Sequence, residues 1–366
     1  MTSHQLATTA PGHGDPTEAT LDKATSPDSM TAVVQHAYGL DAIENSERPV
    51  PTAGPGQLRI KVAASALNPM DWHLATGTPG IVRLAEGFRR PKHQILGREV
   101  CGVVDQLGSG VDDFEVGQSV FGWVTGSFAE YTIAETNRIS LAPTTMTEVE
   151  CAALPIAGTA ALEAIELGDV RGQRVIVNGA SGGVGHYAVQ IAKARGAAWV
   201  AGVCSSGNAD FVRGLGADQI VEYESADFTA ERWDVIIDCI GNRSGSEIRG
   251  ALVDGGRWVV VGDQNKGGLL GPLPRLLARL VRWRFGSQSC HWFVQGEDVR
   301  YLEEIASLVD EGLVRSHLSD TLSIGDLRSG YDRIESGHTV GKLAVDVASA
   351  PGAASNEPSN DVGVTP

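Results

Sequence analysis

Long apolar runs are missing from this sequence of 366 residues, because no uninterrupted stretch approaches the roughly 18 residues that suggest a membrane span. Basic residues are also scarce: 29 Lys and Arg stand against 45 Asp and Glu, which gives a net charge of -16. A protein that binds nucleic acid needs concentrated positive charge against the phosphates. We therefore expect neither a membrane span nor a DNA or RNA partner.

Cysteine is rare as well. The five cysteines lie far apart in the sequence, at Cys101, Cys151, Cys204, Cys239 and Cys290. This spacing argues against a disulfide framework and against a zinc knot of closely spaced thiolates. The N-terminus also has no apolar core after a basic region, as a secretory signal would. These absences predict an unsecreted protein in a reducing cytoplasm.

Both ends of the chain lack hydrophobic periodicity. Residues 1–30 and 349–366 are rich in Ser, Thr, Ala, Pro and Gly, a composition typical of disordered segments. The first of these segments carries several acids, Asp15 and Glu18 among them, and no arginine. Transit peptides have the opposite charge pattern. We predict two disordered tails around a folded region long enough for two domains.

The region between the tails shows two patterns. From residue 31 to about 153, short alternating apolar runs such as LRIKVAASAL are broken by Gly, Pro and Asp, which predicts a small β barrel or sandwich. From Arg171, buried runs such as RVIVN and WDVIIDCIG alternate with helical segments, which predicts an α/β domain with a doubly wound parallel sheet. After a helix, EDVRYLEEIASLVDEGL, short β runs return. The C-terminus could therefore complete the first domain.

The stretch NGASGGVGHYAV fits two patterns with opposed chemistry. Residues 179–183 match the nucleophile elbow of serine hydrolases, with Ser181 as the nucleophile. Ala180, Gly182 and Gly185 match the loop that seats a dinucleotide pyrophosphate at a helix N-terminus, with alanine for the first glycine. Both patterns place the stretch between a strand and a helix.

The hydrolase interpretation also requires an acid and a histidine later in the chain. Asp238 could serve with His291 or His317, but Asp238 lies inside the apolar run DVIIDCIG. No second oxyanion motif precedes the elbow, and the glycine-dense helix start suits phosphate better than acyl transfer. We favour the dinucleotide loop, and the serine hydrolase remains an alternative.

The next strand indicates which dinucleotide the loop would bind. The strand WVAGVC is followed by SSGN, without the Asp or Glu that would bind the ribose hydroxyls of NAD and repel a 2′-phosphate. This favours NADPH over NADH, although CSSGN also lacks the usual Arg or Lys partner of that phosphate. Ser205 and Asn208 could donate hydrogen bonds in its place.

Further motifs make the chain similar to a known family. The segments AASALNPMDWHLATG, ILGREVCGVVDQLGSGV, LPIAGTAALEAI, LGADQIVEY and GKLAVDV occur around the glycine loop in the order of the medium-chain dehydrogenase/reductase superfamily. From about residue 31 to 347 the chain resembles its zinc-independent, quinone oxidoreductase-like branch. The resemblance implies a GroES-like β domain (31–153 and 298–348), a Rossmann domain (154–297), an active site in the cleft between them, and a homodimer.

The same resemblance implies a reaction without a catalytic metal. Arg98 stands where similar zinc alcohol dehydrogenases carry a histidine, and Asn68 stands near the position of a cysteine ligand. The implied reaction is hydride transfer to a quinone or an α,β-unsaturated carbonyl compound. Asn68 would orient the acceptor, and His73, where related quinone reductases often have tyrosine, would protonate it. His73 could equally be a surface or interdomain histidine, and Asp71 is expected to bond backbone amides after the Asn-Pro turn.

The cofactor contacts come from the glycine loop and from positions matched to the family. The candidates are Thr159, Ser181, Gly182, Gly183, Val184, Gly185, Ser205, Asn208, Tyr223, Gly241, Gly262 and Lys342. Several have a structural alternative: Thr159 could bond its own helix, Tyr223 could be an edge aromatic, and Lys342 could be solvated. Gly241 and Gly262 could simply make turns.

The basic segment LPRLLARLVRWRF, residues 273–285, stands out in an acidic protein. It could lie on a membrane interface, form a lid or dimer contact, or pack on its own domain as an amphipathic helix, and we favour the last. Two functional alternatives also stay open. One is a zinc-free alcohol dehydrogenase or biosynthetic enoyl reductase on a dedicated metabolite, and the other is an NADPH-binding sensor or scaffold without turnover.

Overall fold

Strands are the main regular elements of the chain before residue 142. The computed structural model describes residues 27–262, 283, 286–293 and 295–348. The first strands are β1 (Ser29–Gln35), β2 (Ile43–Pro49), β3 (Gln57–Leu67), β4 (Glu99–Leu107), β5 (Ser119–Trp123), β6 (Tyr131–Glu135) and β7 (Ile139–Leu141). Two helices lie between β3 and β4, namely α1 (Pro69–Thr76) and α2 (Val82–Glu86).

Strands and helices alternate in the next part of the chain. Helices α3 (Glu148–Cys151) and α4 (Ala157–Gly168) lead into β8 (Arg174–Asn178), α5 (Gly185–Ala194), β9 (Trp199–Cys204), α6 (Ala209–Gly214), β10 (Gln219–Glu222), β11 (Trp233–Asp238), α7 (Gly245–Ala251), β12 (Leu252–Val260) and β13 (Ser289–Trp292). The last elements are α8 (Val299–Asp310), β14 (Leu318–Ser323), α9 (Leu327–Ser336) and β15 (Lys342–Asp346).

Strands β8 to β13 form one parallel sheet of six strands in the order β10-β9-β8-β11-β12-β13. Numbered from β8, this is the 3-2-1-4-5-6 order of the doubly wound dinucleotide-binding fold. The strand order reverses between β8 and β11, so the carboxyl ends of these two strands mark the crevice where ligands bind in such sheets. The prediction of an α/β fold with a doubly wound sheet is confirmed.

The other strands form a mixed sheet of seven, in the order β14-β15-β3-β4-β5-β7 with β6 also paired to β3. Strand β15 runs antiparallel to β3, with Ala344 opposite Ala66. The end of the chain therefore completes the sheet that the beginning started, as the sequence pattern predicted. Strands β1 and β2 pair separately as a two-stranded ribbon.

One apolar core runs through both parts of the molecule. Phe121 and Trp123 on β5 belong to the same buried cluster as Val175 on β8 and Val235 on β11. The indole nitrogen of Trp123 also donates to the carbonyl oxygen of Pro155 at 2.7 Å, just before α4. The two sheets are therefore joined by shared packing as well as by the chain.

Two features differ from the predicted segment boundaries. Strand β1 begins at Ser29, inside the predicted tail, because Met30 is buried in a small core against the mixed sheet. Helix α8 falls in the segment predicted to return to the β domain, and its apolar face, which includes Leu302 and Ile305, packs in the core that both sheets share. The return to the mixed sheet begins with β14. The basic segment 273–285 lies outside the described residues, apart from Trp283.

Candidate active site

The glycine loop connects β8 to α5 at the carboxyl edge of the parallel sheet. Gly179 adopts a φ of 85°, a left-handed conformation that favours glycine, and its carbonyl oxygen accepts from the amide of Gly182 at 3.0 Å. A Cβ atom on Gly185 would lie 2.0 Å from that same oxygen, so only glycine permits this approach of helix to strand. Ser181, Gly182, Gly183 and Val184 lie half-buried at the start of α5, where free amides can meet an anion.

The second strand ends beside this loop. Asn208 donates from Nδ2 to the hydroxyl oxygen of Ser181 at 3.3 Å, and Ser205 follows β9 directly. Tyr223 follows β10 at the same edge, with its ring 55 % exposed. Glu224 was not among the predicted site residues, and its carboxylate accepts from the amide of Ser206 at 3.2 Å. An acid therefore reaches this edge from the neighbouring strand.

A buried polar cluster lies at the end of β3 and the start of β4. Lys342 on β15 is 3 % exposed, and its ammonium group donates to the Oδ1 of Asn68 at 2.5 Å, to the Oε1 of Glu99 at 2.9 Å and to the carbonyl oxygen of Leu67 at 3.1 Å. Asn68 also donates from Nδ2 to the Oε1 of Glu99 at 2.6 Å. The second Glu99 oxygen accepts from the amide of Ile156 at 2.9 Å. This network accounts for all three protons of the ammonium group.

The same lysine brings the cluster to the glycine loop. The amide of Gly341 donates to the carbonyl oxygen of Ser181 at 2.8 Å. A Cβ atom on Gly183 would lie 3.5 Å from the Cδ of Lys342. The candidate cofactor residues of the loop and the candidate catalytic residue Asn68 are thus neighbours through Lys342. Its solvated alternative does not apply, because the side chain is buried.

Asp71 lies one helical turn after Asn68 and is part of the same environment. Its Oδ2 accepts from the amide of Asn68 at 2.9 Å, which lies before the Asn-Pro turn and not after it as the sequence suggested, while its buried Oδ1 has no hydrogen-bond partner. Burial, and secondly the nearby charge of Glu99, raise the pKa of Asp71 to about 7. Asp71 can therefore change its protonation state near neutral pH.

His73 lies further along α1 and is half-buried. Its Nδ1 is 2.6 Å from the carbonyl oxygen of Thr78. A carbonyl only accepts, so Nδ1 carries a proton in this contact. The backbone therefore holds the ring at Nδ1.

The remaining candidates lie around the crevice in mainly structural contacts. The hydroxyl of Thr159 donates to the carbonyl oxygen of Pro155, just before its own helix, and accepts from the Nε2 of Gln295 at 2.5 Å. Gly241, with a φ of 72°, donates its amide to the Oδ1 of Asp238 at 2.8 Å. A Cβ atom on Gly262 would lie 2.4 Å from the carbonyl oxygen of Cys239. The two glycines make the close turns after β11 and β12.

Asp238 is the acid that the hydrolase alternative requires, and its hydrogen bonds argue against a catalytic triad. Asp238 accepts from Asn178 at 2.9 Å and from Trp258 at 3.2 Å, besides two backbone amides of its own loop. The ring of His317 packs against Phe211, with the ring centres 4.3 Å apart. Asp238 thus stabilises the switch point of the sheet.

Within residues 27–262, 283, 286–293 and 295–348, no three His, Cys, Asp or Glu side chains come together as a metal would require. Over the same ranges, no helix combines the length and the apolar character needed to cross a bilayer. Arg98, which stands where similar zinc alcohol dehydrogenases carry a histidine, forms an ion pair with Glu86 at 3.0 Å.

Removal of the buried ammonium group should cost stability. We expect Lys342→Met to lower the free energy of unfolding by about 3–5 kcal/mol, because Glu99 would stay buried without its counter-charge. Denaturant titration measures this change. Lys193→Met is the matched control: it breaks a part-exposed pair with Asp218 at 2.9 Å, for which we expect about 1 kcal/mol or less. Equal losses in the two variants would contradict the assigned role of Lys342.

Asp71 should make stability depend on pH. Its folded-state pKa lies above the unfolded value, so its contribution to stability is complete below about pH 4 and is lost as the pH rises through about 7. Asp71→Asn keeps an acceptor for the Asn68 amide but cannot ionise. We expect the variant to gain stability relative to the wild type, by up to a few kcal/mol, as the pH rises from about 5 to about 8. Denaturant titrations across this range measure the free energy of unfolding of both proteins, and a constant difference between them would contradict the prediction. Asp112→Asn, at an exposed aspartate, is the control and should show such a constant difference.

Comparisons with known proteins agree with this architecture. Residues 54–144 match the model of the alcohol dehydrogenase GroES-like domain, and residues 215–345 match that of the zinc-binding dehydrogenase family. A mitochondrial NAD(P)H oxidoreductase of Mus musculus is 31 % identical over 333 residues, which cover 80 % of this chain and 82 % of that protein. A trans-enoyl reductase of Aspergillus terreus is 30 % identical over 329 residues, which cover 83 % and 91 %.

Solved structures lead to the same group. The quinone oxidoreductase from Coxiella burnetii superposes with a TM-score of 0.76 at 26 % identity, and the match covers 87 % of this chain and 99 % of that one. The two-part fold, the glycine loop and the relatives confirm the resemblance found in the sequence. The chain belongs to the medium-chain dehydrogenase/reductase superfamily, as a quinone oxidoreductase-like member.

Proposed function

We propose that this protein is an NADPH-dependent oxidoreductase that transfers hydride to a quinone or an α,β-unsaturated carbonyl compound without a catalytic zinc ion. The observation that carries the proposal is the position of Lys342, which joins the dinucleotide loop to the buried Asn68 and Glu99. A cofactor seated on the loop would thus have its reactive end near a fixed polar group. The quinone oxidoreductase and the trans-enoyl reductase among the relatives support the two acceptor classes.

The glycine loop fits a dinucleotide. A Cβ atom on Gly182 would meet only the oxygen of Gly179 within 4 Å, so the outer side of the loop is open for a pyrophosphate. When bound, the nicotinamide supplies the hydride. We favour NADPH because the tip after β9 carries no acid in its sequence. Glu224, at the same edge, would oppose a 2′-phosphate, so we expect a moderate preference for NADPH over NADH.

Asn68 and Lys342 have separate tasks in this proposal. Lys342 donates all three of its protons to protein oxygens, so it acts by fixing the amide of Asn68. The amide nitrogen of Asn68 uses one proton for Glu99, and its second proton is available to an acceptor oxygen. A fixed donor stabilises the negative charge that hydride addition creates on that oxygen. His73 would supply the proton that completes the reduction.

The residues around Asn68 suit acceptors that need little electrophilic help. Arg98 is a permanent cation engaged with Glu86 and cannot ligate a metal, and an amide at position 68 is a poor replacement for a thiolate. Quinones and enones accept hydride readily, whereas an alcohol must first be ionised. The cytoplasm and a homodimer remain our proposals for location and assembly.

The function is tested by cofactor oxidation with a panel of acceptors. Benzoquinone, naphthoquinone, an alkenal and an enoyl thioester are each mixed with enzyme and NADPH or NADH, and nicotinamide absorbance is followed. We expect turnover with at least one quinone or enone and a higher kcat/KM with NADPH. Reverse assays with simple alcohols and NADP⁺ serve as the control. NADPH binding without turnover on any acceptor would favour the sensor or scaffold, and turnover of alcohols alone would favour the dehydrogenase.

His73 as proton donor makes a separate prediction. His73→Gln should lower kcat by about 10² or more, because glutamine cannot donate a proton as an acid. The exposed His36→Gln is the matched control and should leave kcat unchanged. If His73→Gln retains full turnover, His73 has only a structural role.

A further inference from the structure

Among the described residues, the two large apolar side chains with the greatest exposure stand on and just after α2. Leu84 is 72 % exposed and Phe88 is 74 % exposed, and they stand four positions apart. Single apolar side chains on a surface are ordinary, but a leucine and a phenylalanine presented together indicate a contact surface. We call residues Leu84, Phe88, Arg89, Arg90 and Lys92 the apolar-basic tip.

The backbone around the tip is held firmly, so the exposure is built into the fold. The hydroxyl of Tyr38 donates to the carbonyl oxygen of Gly87 at 2.6 Å, and the amide of Lys92 donates to the carbonyl oxygen of Glu86 at 2.7 Å. Arg83 stacks on the ring of Tyr38, with its guanidinium carbon 4.7 Å from the ring centre. These contacts close the turn and leave Leu84 and Phe88 directed away from the core.

The charge of the tip is opposite to that of the whole protein. Arg89, Arg90 and Lys92 are all exposed, while the chain carries a net charge of -16. The acid within this stretch, Glu86, is engaged by Arg98 at 3.0 Å. Apolar side chains beside uncompensated cations are the combination that binds an anionic membrane surface, where apolar groups enter the interface and cations meet phosphates.

The tip is also coupled to the candidate active site. Arg83 donates from Nε to the carbonyl oxygen of Gly77 at 3.1 Å, at the end of the helix that begins after Asn68 and carries His73. Arg98, the partner of Glu86, directly precedes Glu99 of the buried cluster. A surface bound by the tip would therefore lie at the same end of the β domain as the cluster.

We propose that the apolar-basic tip docks this protein on anionic lipid membranes. This docking explains why Leu84 and Phe88 are exposed beside arginines in an acidic protein. It also rests on the proposed function in one respect: lipophilic quinones reside in membranes, so a docked enzyme would draw its acceptor from the bilayer. The binding itself does not depend on turnover.

Vesicle co-sedimentation of the full chain tests the docking. We expect binding to vesicles of phosphatidylcholine with phosphatidylglycerol, weak binding to phosphatidylcholine alone, and a decrease with salt. Arg89→Gln/Arg90→Gln should lower partitioning more than tenfold, since each basic side chain near an anionic surface is worth about fivefold. Leu84→Ser/Phe88→Ser should lower it to a similar degree. Val116→Ser/Leu141→Ser, at exposed apolar side chains outside the tip, is the matched control and should bind like the wild type.

The outcomes separate the docking from the proposed reaction. Partitioning that the tip variants leave unchanged would overturn the proposal. The proposal would also be overturned if the tip variants changed the sedimentation mass without vesicles, because the tip would then be an interface between copies of this chain. Turnover of water-soluble benzoquinone should be equal in the wild type and the tip variants. Vesicle binding without turnover on any acceptor would disprove the proposed function and leave the docking intact.

Discussion

The buried ammonium group of Lys342 is the constraint on which the arrangement of the site depends. A charge inside a protein is tolerated only when its protons find acceptors and a counter-charge lies close by. The acceptors here are Leu67 and Asn68 at the end of β3 and Glu99 at the start of β4. Strand β15 must therefore keep one register against β3, and this register brings Gly341 to the glycine loop.

The polar cluster carries more acid than base in its immediate surroundings. Glu99 is neutralised by Lys342, whereas Asp71 has a buried oxygen without a partner and a pKa near neutrality. The charge of Glu99 is thus fixed, whereas Asp71 can gain or lose a proton. Glu99 positions Asn68, and Asp71 lies one helical turn after Asn68, on the helix that carries His73.

Local features of this molecule were predictable from the sequence, and distant pairings were not. The glycine loop was readable because strand, turn and helix follow one another within about twenty residues, and each glycine has a local steric reason. The burial of Lys342 was not, because it requires Leu67, which is 275 positions away in the chain. Glu99 was not among the predicted site residues, although a glutamate opening an apolar strand is a signal of buried charge. Similarly, the hydrophobic periodicity of α8 indicated an apolar face but not the packing of that face in the core that both sheets share.

The core shared by the two sheets restricts how the molecule can move. Phe121 and Trp123 of the mixed sheet are buried with Val175 and Val235 of the parallel sheet. Separating the sheets as rigid bodies would expose this apolar surface to water, at a cost proportional to its area. Displacement of loops at the rim of the crevice would admit a cofactor and an acceptor without this cost. The side chains that join the two sheets therefore also oppose their separation.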